Sequence, residues 1–253
     1  MTAVKAAPLD PAALAAQFQV AGERAGFRRE DYGAAGIYPL MALTRRAPGP
    51  RPRIYLSAGI HGDEPAPPLA LLSLLESGQL DGRAVWFLCP MLNPESLGRG
   101  VRENASGLDL NRDYRHPEAP EVRAHVAWLR RQPGFDLAIC VHEDWESKGF
   151  YLYELNPDNR PSLAAPMIKA ASKVCPIDTS PEIEGREARG GIIRPSADPL
   201  EREKWPESIY LRANHTSLSY TIETPSSLAL ETRVAALRAA LFAAIDRTLG
   251  HHA

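Results

Sequence analysis

Apolar residues in this chain gather into short continuous runs separated by polar turns. "RIYLSA" (53–58), "AVWFLCPML" (84–92) and "DLAICVH" (136–142) carry few polar breaks, which predicts strands buried on both faces. "GIYPLMALTRR" (36–46) predicts an earlier strand and "SYTIET" (219–224) a late one. Between them the apolar spacing turns helical, predicting helices over 11–25, 66–77 (closed by Gly78), 118–131 and about 229–249. Strands alternating with helices predict an α/β fold with a mixed, mostly parallel twisted sheet and helices on both faces. Residues 93–116 read as a long loop and 143–218 as a long irregular region. No internal repeat or linker divides the chain, so residues 1–253 are expected to form a single domain.

In such sheets ligands bind beyond the carboxyl ends of the strands. The residues just past those ends are His61, Asn93 and His142, and Glu223 lies near the end of the late strand. Polar groups with useful chemistry are thus expected along one sheet edge.

His61 and Glu64 form a His-x-x-Glu pair in "HGDE". With 7 His and 31 Asp+Glu in 253 residues, chance supplies roughly one His-x-x-acid pair, and Glu64 could equally be a favourable charge at a helix N-terminus. His142 at the end of an apolar strand changes that balance, although a lone strand-end histidine is more often structural. Two histidines and one glutamate from two strand ends form a three-ligand set with an open position, the pattern of catalytic zinc. The loop 93–116 contains Arg99, Arg102, Arg112 and Arg115 among Asn, Asp and Gly. Their guanidinium forks suit a carboxylate or an oxyanion, or they simply pair with loop aspartates. Glu223 is a candidate general base if it lies near a metal, or a solvent-facing residue if its strand is an edge.

Composition narrows the function classes. A formal net charge of −2 gives no footprint for nucleic acid. No apolar run approaches the ~20 residues of a membrane span, and the N-terminal stretch lacks an apolar leader core. Cys89, Cys140 and Cys175 are distant from one another and odd in number, so they read as buried thiols, and a reducing cytoplasm is the expected compartment. There is no Gly-x-Ser-x-Gly elbow, His-Glu-x-x-His helix or Gly-Lys-Ser/Thr phosphate loop.

The ordered set "HGDE", "NP", "GRGVREN", "GLDLNRDY", "DLAICVH" and "YTIETP" resembles the zinc carboxypeptidases. That superfamily also holds murein-peptide amidases and the aspartoacylase and succinylglutamate desuccinylase branch. The resemblance covers roughly residues 53–142 and 219–225. It implies one zinc ion on His61, Glu64 and His142, with Asp109 orienting the His61 imidazole. It further implies that Arg102 polarises the scissile carbonyl, that Asn111 and Arg112 grip a terminal carboxylate, and that Glu223 is the general base. "SIY" (208–210) resembles the segment of the family's mobile tyrosine, which makes Tyr210 a candidate substrate contact. The implied activity is hydrolysis of an amide next to the free carboxylate of a peptide, including a cell-wall peptide. The alternatives are an N-acyl-amino-acid deacylase and, from another class, a non-catalytic metal-dependent binding protein. The oligomeric state is not legible.

Overall fold

The computed structural model describes residues 8–195 and 198–250. The first seven residues of the N-terminal stretch read above lie outside them. In chain order the elements are α1 (Pro11–Arg24), β1 (Arg28–Ala35), β2 (Tyr38–Arg45), β3 (Arg53–Ser57), α2 (Ala66–Glu76), β4 (Val85–Cys89) and α3 (Pro94–Arg99). Then come α4 (Pro120–Leu129), β5 (Leu137–Asp144), β6 (Tyr151–Leu155), α5 (Ala164–Ala171), β7 (Glu182–Ile183), β8 (Arg186–Arg189) and β9 (Ile192–Ile193). The chain finishes with α6 (Glu207–Asn214), β10 (Ser219–Pro225) and α7 (Leu230–Gly250).

The strands join in the order β1-β2-β4-β3-β5-β10-β6-β9-β8-β7. Only the centre, β4-β3-β5-β10, is continuously parallel. The pairs β1·β2, β2·β4, β10·β6, β8·β9 and β7·β8 are antiparallel, and β6·β9 is a further parallel pair. The sheet is therefore mixed and not mostly parallel as expected. The extra antiparallel strands come from segments that the apolar pattern did not mark as strands. β1 ("RREDYGAA") is a polar edge strand, and β6 to β9 fall in the region read as irregular.

The central strands place alternate residues on opposite faces, as a pleat of period two requires. Ile54, Leu56, Leu88, Ile139, Val141 and Ile222 pack with Leu71, Leu74, Leu237 and Leu241 of α2 and α7. Tyr55, Phe87, Ala138 and Cys140 pack with Val122, Val126, Trp128 and Leu211 of α4 and α6. Both faces are covered, and all these side chains are buried. Burying a side chain of this size contributes about 1.5–3 kcal/mol, so the rigid part of the fold is this doubly covered centre. The carboxyl ends of its four parallel strands point the same way.

Candidate metal centre

After β3 the chain turns through Ala58–Ile60, with Gly59 at φ 67°, and reaches His61-Gly62-Asp63-Glu64. Gly62 is required by close approach: a Cβ there would meet the Ser96 carbonyl carbon at 2.0 Å and oxygen at 2.1 Å. α2 then starts with Pro67 and Pro68 in its first turn, where a missing N–H costs no helical bond. β5 runs parallel to β3 in the register Ser57↔Cys140, which carries His142 to the same edge.

There His61 Nδ1 lies 2.5 Å from Glu64 Oε1, and His142 Nδ1 lies 3.1 Å from Glu64 Oε2. The two rings are 5.2 Å apart and tilted by 56°. All three side chains are buried, and each offers a ligand atom within 4.8 Å of the others. That spacing and donor set fit one divalent ion with bonds of about 2.0–2.2 Å. The electrostatics also favour a cation. Burial opposes the charged form of Glu64, but His61 and His142 outweigh it and hold the carboxyl well below the usual range. Burial works against a charged His61 too, yet Glu64 and Asp109 raise its pKa to about 9.

Asp109 joins this trio to the loop. Its Oδ1 lies 3.1 Å from His61 Nε2 and accepts the Asn111 N–H at 2.9 Å, while Oδ2 accepts Arg102 Nε at 3.2 Å and Nη2 at 3.1 Å. His61 is thus fixed from behind, and with its Nε2–H given to Asp109 the Nδ1 lone pair is the one free to hold a metal ion beside Glu64. Arg102, held along one edge, brings Nη1 to 3.7 Å from Glu64 Oε1. Asp109 also caps the short 3-10 turn Leu110–Arg112. Among the described residues the Arg112 side chain donates only to the Asn111 carbonyl, at 2.8 Å, and Asn111 Oδ1 accepts the Glu207 N–H at 2.9 Å.

Glu223 on β10 is in register with His142 on β5, so both reach the same edge. Its Oε2 is buried without a hydrogen-bond partner among the described residues. Burial pushes its pKa well above the ordinary carboxyl value, Glu64 adds to the rise, and Arg102 opposes it. Asn93 serves the fold: its amide donates to the Ile60 carbonyl and caps α3.

His61, Glu64, Arg102, Asn111, Arg112, His142 and Glu223 line one cavity of about 470 Å³. Tyr210 does not. Ser208 and Ile209 of α6 face the cavity, and the next residue turns about 100° away on a 3.6-residue helix. The Tyr210 ring is buried beside Tyr114 and His215, at 5.9 and 5.8 Å. In this structure Tyr210 belongs to the core and not to the cavity lining. Glu143, next to His142, is also committed elsewhere. Its Oε1 accepts the Ala66 N–H at 2.6 Å and Oε2 pairs with Arg233.

The far wall is made by Asp144, Trp145, Tyr153, Glu184, Arg186 and Arg202, and of these sequence reasoning missed Glu184, Arg186 and Arg202. A signal existed in "EIEGREAR", where Glu184-Gly185, both at positive φ, form the two-residue turn of the β7–β8 hairpin.

The sequence model of the Succinylglutamate desuccinylase/Aspartoacylase catalytic domain matches residues 50–152. That stretch holds His61, Glu64, Arg102, Asp109, Asn111, Arg112 and His142, while Glu223 lies outside it. No curated protein matches. Among solved structures, a provisionally named metallopeptidase from Shewanella amazonensis SB2B superposes with a TM-score of 0.81 at 25% identity, over 96% of this chain and 93% of that one. A metallo-carboxypeptidase from Burkholderia cenocepacia superposes with a TM-score of 0.76 at 21% identity, over 97% and 70%. The fold is that of the zinc carboxypeptidase-like superfamily. A metallo-carboxypeptidase from Pseudomonas aeruginosa, in complex with (2-guanidinoethylmercapto)succinic acid, shares this carboxypeptidase-like fold at 21% identity, with a TM-score of 0.68 over 91% and 68% of the two chains. The likeness of fold to these structures covers 91–97% of this chain, well beyond the stretch matched by sequence.

Proposed function

We propose that this protein is a zinc-dependent hydrolase that cleaves an amide bond next to a free carboxylate, as a carboxypeptidase does. The observation that carries the reading is one cavity lined by the His61–Glu64–His142 trio, an unpartnered glutamate and two groups suited to a carboxylate. Zinc in that trio would supply Lewis acidity, polarising a carbonyl and making water acidic near neutral pH. Glu223 takes the proton from the attacking water at its free Oε2 and returns it to the departing nitrogen, a role that its raised proton affinity suits. Arg102 offers Nη1 to the developing oxyanion while Asp109 holds its other edge. Arg112 and the Asn111 amide NH₂ receive the substrate's carboxylate.

A second reading, an N-acyl-amino-acid deacylase on the same scaffold, is favoured by the family match over residues 50–152. Both readings require a free carboxylate, and a binding protein would need neither Glu223 nor Arg102. The test is hydrolysis of a C-terminal peptide library beside N-acyl amino acids, each as free acid and as amide. Charge-assisted hydrogen bonds contribute ~1.5–3 kcal/mol each, so amidation is expected to cut kcat/KM by roughly 10- to 100-fold per lost bond. Arg112→Ala is expected to lose a similar factor on the acid and little more on the amide. Equal hydrolysis of acid and amide by the wild-type protein refutes the carboxylate grip.

A further inference from the structure

Glu207 opens α6 and is 1% exposed, yet no lysine, arginine or histidine pairs with its carboxylate among the described residues. Its oxygens accept hydroxyl hydrogens instead, from Tyr55 to Oε1 at 2.6 Å and from Ser57 to Oε2 at 2.9 Å. Both donors sit on β3, the strand that leads to His61. The chain of donors behind Tyr55 has one direction. Tyr55 spends its only hydroxyl hydrogen on Glu207, so His125 Nε2, 3.0 Å away, donates to the Tyr55 oxygen. Tyr114 then donates to His125 Nδ1 at 2.8 Å. The neutral imidazole this requires agrees with His125, whose pKa burial lowers to about 3.

Joining a helix to a strand through a buried carboxylate is costly, and an apolar contact of the same volume does it more cheaply. What the carboxylate adds is exact placement of one backbone group. α6 has no side-chain cap from Pro206. Its first N–H, that of Glu207, donates to Asn111 Oδ1 at 2.9 Å. This bond fixes the sense of the Asn111 amide, because a flipped amide would set NH₂ against N–H. The Asn111 N–H continues to Asp109 Oδ1, which holds His61 Nε2. A buried group remote from the chemistry is thereby tied to both the carboxylate grip and the candidate metal ligand.

We propose that Glu207 is a positioning residue: anchored to Tyr55 and Ser57, it sets the start of α6 so that the Asn111 amide presents Nδ2 to the substrate's carboxylate. This rests on the reading that Asn111 and Arg112 bind that carboxylate, and the experiment separates the two. The best peptide substrate from the library is prepared as free acid and as C-terminal amide and assayed with wild-type protein, Glu207→Gln and Tyr55→Phe. In Glu207→Gln an NH₂ replaces one acceptor. The expected result is a fall of about tenfold or more in kcat/KM on the acid, carried mainly by KM, with the amide nearly unaffected and zinc content near one per chain. The acid-to-amide ratio therefore shrinks, which a merely structural role would not produce, since lost folding lowers both substrates alike. A folded Glu207→Gln with the wild-type ratio overturns the proposal. Should that variant fail to fold, Tyr55→Phe decides: it keeps the carboxylate and removes one donor, and an unchanged ratio overturns the proposal equally. A wild-type protein that hydrolyses acid and amide alike refutes the carboxylate grip itself, and the role of Glu207 falls with it.

Discussion

The side chains at the sheet edge differ most in what their second contacts leave free. Glu223 has a buried oxygen without a partner among the described residues, whereas Glu143 has both oxygens engaged by Ala66 and Arg233. Glu223→Gln keeps the shape and removes the proton acceptor. Turnover is expected to fall by ~10² or more, the usual worth of a positioned base, with metal content unchanged by elemental analysis. Turnover that survives would exclude Glu223 as the base, and the engaged Glu143 is no ready substitute. Asp109 acts from behind the trio, on His61 Nε2 and on Arg102. Asp109→Asn is expected to weaken zinc binding by about 10- to 100-fold, measured by competition with a chelator, because such a partner orients the ligand imidazole and raises its basicity.

Among the elements, the sharpest constraint is the contact between the His61–Glu64 turn and α3. Gly62 leaves no room for a methyl group against the backbone of Ser96 and Val101, which cannot swing aside as a side-chain end can. Gly62→Ala is expected to cost on the order of 1–3 kcal/mol, as overpacking does, and to weaken zinc binding together with stability. A melting curve and a zinc titration check both, and an unaltered melting temperature would show that the turn has slack. The same contrast between local and distant constraints decides what was legible. α1, α2, α4, α7 and the strands β3, β4, β5 and β10 follow apolar patterns and appear within a few residues of expectation. The parallel centre and the edge that gathers His61, His142 and Glu223 follow from those strands. β1 was illegible because an edge strand with exposed polar residues has no apolar alternation to read. The 3-10 turn at Leu110–Arg112 owes its shape to Asp109, and β6 to β9 owe theirs to pairing with distant partners. The core position of Tyr210 was not legible because a motif gives spacing along the chain but not the side of the helix on which a residue lies. Glu207 gave no sign at all, since its importance comes from Tyr55 and Ser57, about 150 positions earlier.

The molecule as a whole ties acid stability to its second core. Burial is the main reason that the pKa of His125 falls to about 3, from an unfolded value near 6.5. The unfolded chain therefore binds more protons than the folded one between those values. Stability from a neutral His125 is complete above about pH 6.5 and is lost as pH falls toward 3, at ~1.4 kcal/mol per pH unit. Glu64 and Asp109, held below the usual carboxyl range, begin to act only below about pH 4. Glu143, Glu207 and Glu223, whose carboxyl pKa values burial raises, work in the opposite direction, so the loss due to His125 is read by difference: the urea midpoint of the metal-free wild-type protein is expected to lose ground to that of His125→Gln as pH falls from 6 to 4. An equal slope in both proteins would assign it elsewhere. Finally, β10 is the last strand in sequence yet lies inside the sheet, bonded to β5 on one side and β6 on the other. A nascent chain halted before residue 219 already carries His61, Glu64 and His142, but its sheet is split and Glu223 is unmade. The two halves of the sheet therefore close last, and the edge that gathers His61, His142 and Glu223 is complete only once synthesis has passed the final strand.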